Sequence, residues 1–337
     1  MTRARQAALL FALAMTCAAL ATRSAGILPP FFPPAPAFAQ QPAGQGIAAG
    51  PQFTLGLVLR YQLDVRTTHD GDVSGAVENP QGGNRLTVRF GAVLKLEALE
   101  PAPEGLLLRA TIEQISVAIG GDTFDPAVVG LERRYRQLEG YSVIFHPRAD
   151  IPPVPVASDP SLRNPELEAT AQNWMRLLVS RIGAPPGAVP GSAWSDEQPV
   201  AVAPFKATVL RTASSYLRDE PCGGQGERAA VAAPSLAAEQ CAVVLTRSTI
   251  VQAGSHRDPT PDSYRERGLR TAGRWAGTGE GLAYIAQRTG WVVSVTETQA
   301  EQMDFTVSRA NGDVVLRRRG TVETQTHLLL QSVESRK

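Results

Sequence analysis

Residues 86–98 read LTVRFGAVLKLEA, and the fold class follows from this stretch. Leu86, Val88, Phe90, Ala92, Leu94, Leu96 and Ala98 alternate mostly with Thr87, Arg89, Lys95 and Glu97. A period of two over that length is the pattern of an antiparallel strand with one buried face and one wet face. Upstream, Leu55, Leu57, Leu59, Tyr61, Leu63 and Val65 alternate in the same way with Arg60, Gln62, Asp64 and Arg66. Downstream, Leu106, Leu108, Ala110 and Ile112 continue the theme until the phase slips to Ile115, Val117 and Ile119. A slip of one residue predicts a β-bulge at Glu113-Gln114. Asp70-Gly71, Gly82-Gly83-Asn84 and Pro101 to Gly105 read as turns between these strands.

The middle of the chain differs. Eleven prolines fall between Pro147 and Pro204, which excludes central strands and marks a linker. One helix is predicted within it, about 165–182. Asn164 is placed to cap it, Pro165 suits its first turn, and Leu167, Ala171, Trp174, Leu178 and Ile182 share one face. Strands resume after Phe205 and run to Leu330, with Asn311-Gly312 a strong hairpin signal. The expected organisation is a leader over 1–39, a first β half over 52–147, the linker over 148–204 and a second β half over 205–332. The fold class is therefore mostly β: two antiparallel halves, as a sandwich or as curved half-barrel sheets, joined by a proline-rich connector carrying one helix.

The leader resembles a secretory signal: Arg3 and Arg5 precede the apolar run Ala7–Ala21, which is short for a membrane span. Ala19-Leu20-Ala21 and Ala37-Phe38-Ala39 both satisfy the small-x-small cleavage rule, and the choice between them stays open. The expected localisation is periplasmic or extracellular, with no transmembrane span in the mature chain. Beyond the leader two cysteines remain, Cys222 and Cys241, with no CxxC and no nearby histidine. An even pair in an oxidising compartment reads as a disulfide, the alternative being two separate buried thiols.

Charge and motifs narrow the function classes. With 33 Lys+Arg against 32 Asp+Glu, the chain lacks the basic excess of a nucleic-acid binder. Aromatics at 6% are too few for the girdles of an outer-membrane barrel. His69, His146, His256 and His327 are too scattered for HExxH or HxH, and no GxSxG, SxxK or P-loop occurs. No catalytic residue, metal site or cofactor is assigned, and the balance leans away from an enzyme. Four weaker features read as structural first. Thr68 to Asp72 holds possible metal ligands on a turn, and His256, Asp258 and Asp262 lie in a proline-broken loop. Gly277, Gly279 and Gly281 favour a sheet bend over a phosphate cradle, because no strand-turn-helix unit surrounds them. Arg133-Arg134-Arg136, Arg265-Arg267-Arg270-Arg274 and Arg317-Arg318-Arg319 read as solvated faces or edge protection.

Pro190-Gly191-Ser192-Ala193-Trp194 opens the second β half. With the long strands and proline-rich middle, this resembles a group of uncharacterised bacterial secreted proteins with a mid-chain Gly-x-x-Trp element. Ser192 stands where that element often has an acid, and the resemblance implies no catalytic residue. Physically, Gly191 permits a turn and Trp194 plugs one sheet end. The function expected is a non-catalytic envelope binding module for a lipid or other apolar or amphipathic ligand. The rival is a structural or assembly protein acting through edge strands or arginine patches, with its protein partner unknown.

Overall fold

A computed structural model describes residues 46–48, 51–75, 84–102, 105–121, 126–146, 154–162, 164–179, 184–185, 187–200, 204–223, 236, 239–252 and 258–335. The leader and its cleavage sites lie outside these residues, as do Gly82, Gly83, Ile182 and His256. Among the described residues strands account for 67% and helix for 11%. In chain order the elements are β1 (Leu57–Gly75), β2 (Asn84–Ala102), β3 (Gly105–Gly121), α1 (Pro126–Arg136), β4 (Ser142–His146), β5 (Val154–Ser158) and α2 (Pro165–Val179). Then follow β6 (Ala193–Pro199), β7 (Thr208–Pro221), β8 (Gln240–Gln252), α3 (Asp262–Arg265), β9 (Leu269–Ala286), β10 (Val292–Arg309) and β11 (Val314–Ser335).

All the strands belong to one antiparallel sheet of eleven, in the order β5-β4-β3-β2-β1-β11-β10-β9-β8-β7-β6. The sheet is not closed. The two β halves of the sequence are both present, and they run into each other where β1 pairs with β11 from Leu57↔Ser335 to Gly75↔Leu316. The first and last strands are therefore central, while the proline-rich stretch supplies both edges, β5 with Pro155 and β6 with Pro199. That placement suits proline, which cannot donate a ladder hydrogen bond on both sides.

The expected bulge is present: Leu94 faces Ile112 and Val93 faces Gln114, so Glu113 is the extra residue. Its carboxylate takes ion pairs from Arg60 at 3.1 Å and Lys95 at 3.2 Å on the outer face. The Asn311-Gly312 hairpin also forms, with Gly312 at φ 91° and Arg309 N–H donating to Asp313 O at 2.8 Å.

Asp70-Gly71 is not a turn. β1 continues through it, because Gly71 sits directly opposite Gly320 of β11 and the two backbones approach closely. A Cβ on Gly71 would lie 2.6 Å from the Gly320 Cα. Asp-Gly here serves a strand crossing, a use that local turn chemistry does not reveal.

Period-two alternation puts one face of the sheet inward. Leu59, Tyr61, Leu63, Leu94, Leu96, Leu108, Ile112, Leu328 and Leu330 on that face are fully or almost fully buried. The helices fill this end of the strands. Asn164 caps α2 by accepting from Leu167 N–H at 3.1 Å, and Leu167, Ala171, Met175 and Leu178 are buried. Trp174 stacks on Phe90 with ring centroids 4.7 Å apart. Glu168 of the same helix accepts from Ser158 Oγ at 2.9 Å and Tyr141 Oη at 3.3 Å, tying α2 to the β4–β5 arm. α1 was not expected, since Val128-Val129-Gly130 are weak helix formers. Burial of Leu131 and Tyr135, with Tyr135 against Phe90, supplies what propensity does not.

One apolar cluster joins residues of β1–β4, both longer helices and β8–β11. Both arms of the sheet thus close on the same helices, which makes the inner face concave. Tyr61 is buried there with no hydrogen-bond partner for its hydroxyl among the described residues, and burial pushes its phenol pKa up.

One stability outcome follows from this geometry. Gly71→Ala should lower stability by about 1–3 kcal/mol in chemical denaturation, because two backbones must separate to admit the methyl. A variant of unchanged stability would show that the crossing is looser than the 2.6 Å contact requires.

Candidate functional site

Packing on the inner face is complete at the helix end and thins toward the other. Along β3, Leu108, Ala110 and Ile112 are fully buried, whereas Ile115, Val117 and Ile119 beyond the bulge are only half-buried. Along β1, the buried run from Leu57 to Thr67 gives way to half-buried His69 and Val73. A second apolar cluster of Phe205, Ile250, Trp275, Met303, Phe305, Val307, Leu316 and Val322 packs the far end of β8–β11. Between the two clusters lies a polar band.

The band follows from strand register. Ladder partners share a face, so Val88, Thr67, Thr324, Gln299, Gly279, Ser248, Thr212 and Asp196 form one row across the sheet. The adjacent row carries Phe90, Val65, Thr326, Glu297, Gly281, Thr246, Ser214 and Trp194. Many hydroxyls pair among themselves, Thr67 with Thr324 at 3.3 Å and Ser214 with Thr246 at 3.0 Å.

Gly277, Gly279 and Gly281 form no bend; β9 keeps register with β10 throughout them. Each instead faces a long polar side chain: Glu301, Gln299 and Glu297 respectively. A Cβ on Gly277 would lie 2.8 Å from the Glu301 Cγ, and one on Gly279 would lie 2.7 Å from the Ser248 Oγ. The glycines therefore make room for carboxyl and amide groups on the inner face. Gln299 Nε2 donates to Glu297 Oε1 at 2.7 Å, and Trp275 Nε1 donates to Glu301 Oε2 at 2.9 Å. Desolvation raises the Glu297 carboxyl pKa, against the hydrogen bond from Gln299.

His69 and Arg318 complete the set. Arg318 Nη2 donates to His69 Nδ1 at 3.0 Å, so the imidazole is neutral and carries its proton on Nε2. Burial, helped by the Arg318 charge, lowers the His69 pKa to about 3. Burial also lowers the Arg318 pKa to about 10, against the opposing pull of Glu301. Of the arginine run at 317–319, Arg317 and Arg319 are exposed but Arg318 points inward and is half-buried. The expectation of a solvated face fails for Arg318 because β11 is a central strand, where alternation must turn every second residue into the fold.

The remaining sequence candidates sit elsewhere. Cys222 and Cys241 form a disulfide with Cα atoms 4.9 Å apart, closing the β7–β8 connection. Cys222 N–H donates to Glu239 O at 2.8 Å, so the bridge runs diagonally from just past the end of β7. Gly191 adopts φ 90° in the turn before β6, its N–H donating to Tyr216 O at 2.8 Å. Half-buried Trp194 packs against the cluster of Ile47, Ala188, Tyr216, Val244 and Ile285. Asp258 and Asp262 pair with Arg265, and Asp262 also with Lys206. Near them a recess of about 520 Å³ is lined by Gln252, Asp258, Thr260, Arg270, Thr271 and Gly273. Among the described residues no group of three His, Cys, Asp or Glu is placed to hold a metal, and no helix is long and apolar enough to cross a membrane.

No protein-family model and no characterised sequence matches the chain. Solved structures with some likeness include lipovitellin, studied for lipid–protein interactions (12% identity, TM-score 0.44, 85% of this chain and 26% of that one). The chain thus spans about a quarter of the lipovitellin chain. Others are DynF from the dynemicin biosynthesis pathway of Micromonospora chersina (7% identity, TM-score 0.18, 92% and 93% covered) and an outer membrane channel from Pseudomonas putida F1 (10%, 0.19, 83% and 97%).

Two solution tests address these residues. Replacing Cys222 with Ser, which opens a loop of sequence separation 19, should cost about 3 kcal/mol in the chain-entropy view. An equal denaturation midpoint with and without reductant would contradict that. The His69 pKa is depressed on folding, so its contribution is full above the unfolded value of 6.5 and is lost as pH falls toward about 3. Urea midpoints of the wild type should therefore drop between pH 7 and pH 4 more steeply than those of His69→Gln. Parallel pH profiles would exclude His69 as a source of acid sensitivity.

Proposed function

We propose that the chain is an exported, non-catalytic receptacle that holds an apolar or amphipathic ligand against the inner face of its open sheet. One observation carries the reading: along β3 the inner-face side chains lose full burial beyond the bulge. Ile115, Val117 and Ile119 are half-buried on the same face that is fully buried at Leu108 and Ile112. A concave apolar wall with a few convergent polar groups is the usual form of a small-molecule site. The polar groups here are Glu297 and Gln299, set between the two apolar clusters, and His69 and Arg318, which stand beside Val322, Val73 and Phe305 of the second. The disulfide is compatible with an oxidising compartment, which supports the expectation of export.

The rival reading, assembly through edge strands, rests on the unclosed sheet and on Val156 of β5, which is 61% exposed. Pro155, Pro199, Asp196 and Glu197 blunt both edges, which argues for edge protection.

Native mass spectrometry of the protein secreted by an exporting host tests the receptacle directly. Non-covalent lipid-sized adducts that vanish on organic extraction are expected, and Ile119→Glu should reduce them. Bare protein mass, with no binding of added dodecanol by the extracted and refolded chain, would overturn the proposal.

A further inference from the structure

Resting on the receptacle reading, we infer that Arg318, supported by His69, is a head-group site for the anionic end of a singly charged amphiphile such as a long-chain carboxylate. Arg318 stands on the inner face opposite Val73 on one side and Phe305 on the other. A guanidinium carries five N–H donors. Among the described residues its hydrogen-bond partner is His69 Nδ1, and no carboxylate lies within ion-pair distance of it. Glu301, the acid whose charge favours the Arg318 cation, accepts instead from Trp275 Nε1. A cation held among apolar groups with most donors unspent is costly to bury and gains most from an arriving anion.

His69 fits the same role. Because its Nδ1 accepts from Arg318, the ring is neutral and keeps Nε2–H as a further donor. Leu86 and Val322 flank His69 on the same face, and Val73 and Phe305 flank Arg318. A hydrocarbon chain leaving the head group therefore meets apolar side chains in either direction. Glu301, whose charge reaches Arg318, raises the cost of a second negative charge nearby, which favours one charge over two.

The test measures binding of dodecanoate, dodecanol and inorganic phosphate to the delipidated full-length mature chain by tryptophan fluorescence and calorimetry. Dodecanoate is expected to bind about tenfold more tightly than dodecanol, the difference a charge-assisted hydrogen bond supplies. Arg318→Gln should erase that preference, and Arg318→Lys should retain part of it. Inorganic phosphate should bind far more weakly than dodecanoate; comparable affinity would reassign the site to a free anion and overturn the amphiphile. Equal affinity of the wild type for dodecanoate and dodecanol would overturn the head-group site and leave the receptacle standing. If neither binds, the receptacle itself fails. Circular dichroism of each variant separates loss of the site from loss of fold, and Arg318→Lys keeps the test informative if Arg318→Gln does not fold.

Discussion

The pairing of β1 with β11 is the contact on which the rest of the structure depends. It joins residues from opposite ends of the described chain, Leu57 with Ser335 and Gly75 with Leu316, and turns two meanders into one sheet. Without it each half would be a separate open sheet with a bare central edge, and no row of side chains would cross from β3 to β8. The pairing also demands the close approach at Gly71 and Gly320, where neither strand can carry a side chain. Contacts so distant in sequence require most of the chain to order before they form, a slow step in folding.

Once that sheet exists, strict alternation determines what faces inward, whatever its polarity. Central strands cannot choose to expose Glu297, Gln299, Glu301 or Arg318 without also moving Val295, Met303, Leu316 and Val322 out of the core. The polar groups are accommodated by local means. Glycines on β9 make space beside β10, Trp275 and Gln299 supply hydrogen bonds, and His69 stays neutral to receive Arg318. A concave face built this way has apolar packing at its ends and desolvated, partly satisfied polar groups between them. That mixture gives the inner face its chemical character.

Closure is withheld at the proline-rich middle of the chain. β5 and β6 are both short, and the chain between them forms α2, which packs on the inner face and does not bridge the edges. The helix end is thus sealed by side chains from α1, α2 and both arms of the sheet. The disulfide separately fastens the β7–β8 connection.

Much of the framework is legible in the residues alone. Alternation over 86–98 gives the strand class, the phase slip gives the bulge at Glu113, and Asn164 and Pro165 place the start of α2. Those features are local: each depends on residues a few positions apart, through the two-residue pleat or the capping of a first turn. Even the cysteine pairing was accessible, because its partners flank one loop. The candidate site was not. Asp70-Gly71 looks like a turn until Gly320 lies against it, and the glycines at 277–281 look like a bend until β10 shows its carboxylates. Arg318 sits in a run of arginines that composition assigns to solvent, and only the central position of β11 turns it inward. Which strand neighbours which is decided by burial summed over the whole sheet, a quantity no short window of sequence contains. The sequence by itself therefore determined the strands and their two faces. Only the tertiary structure decided which charged residues those faces enclose.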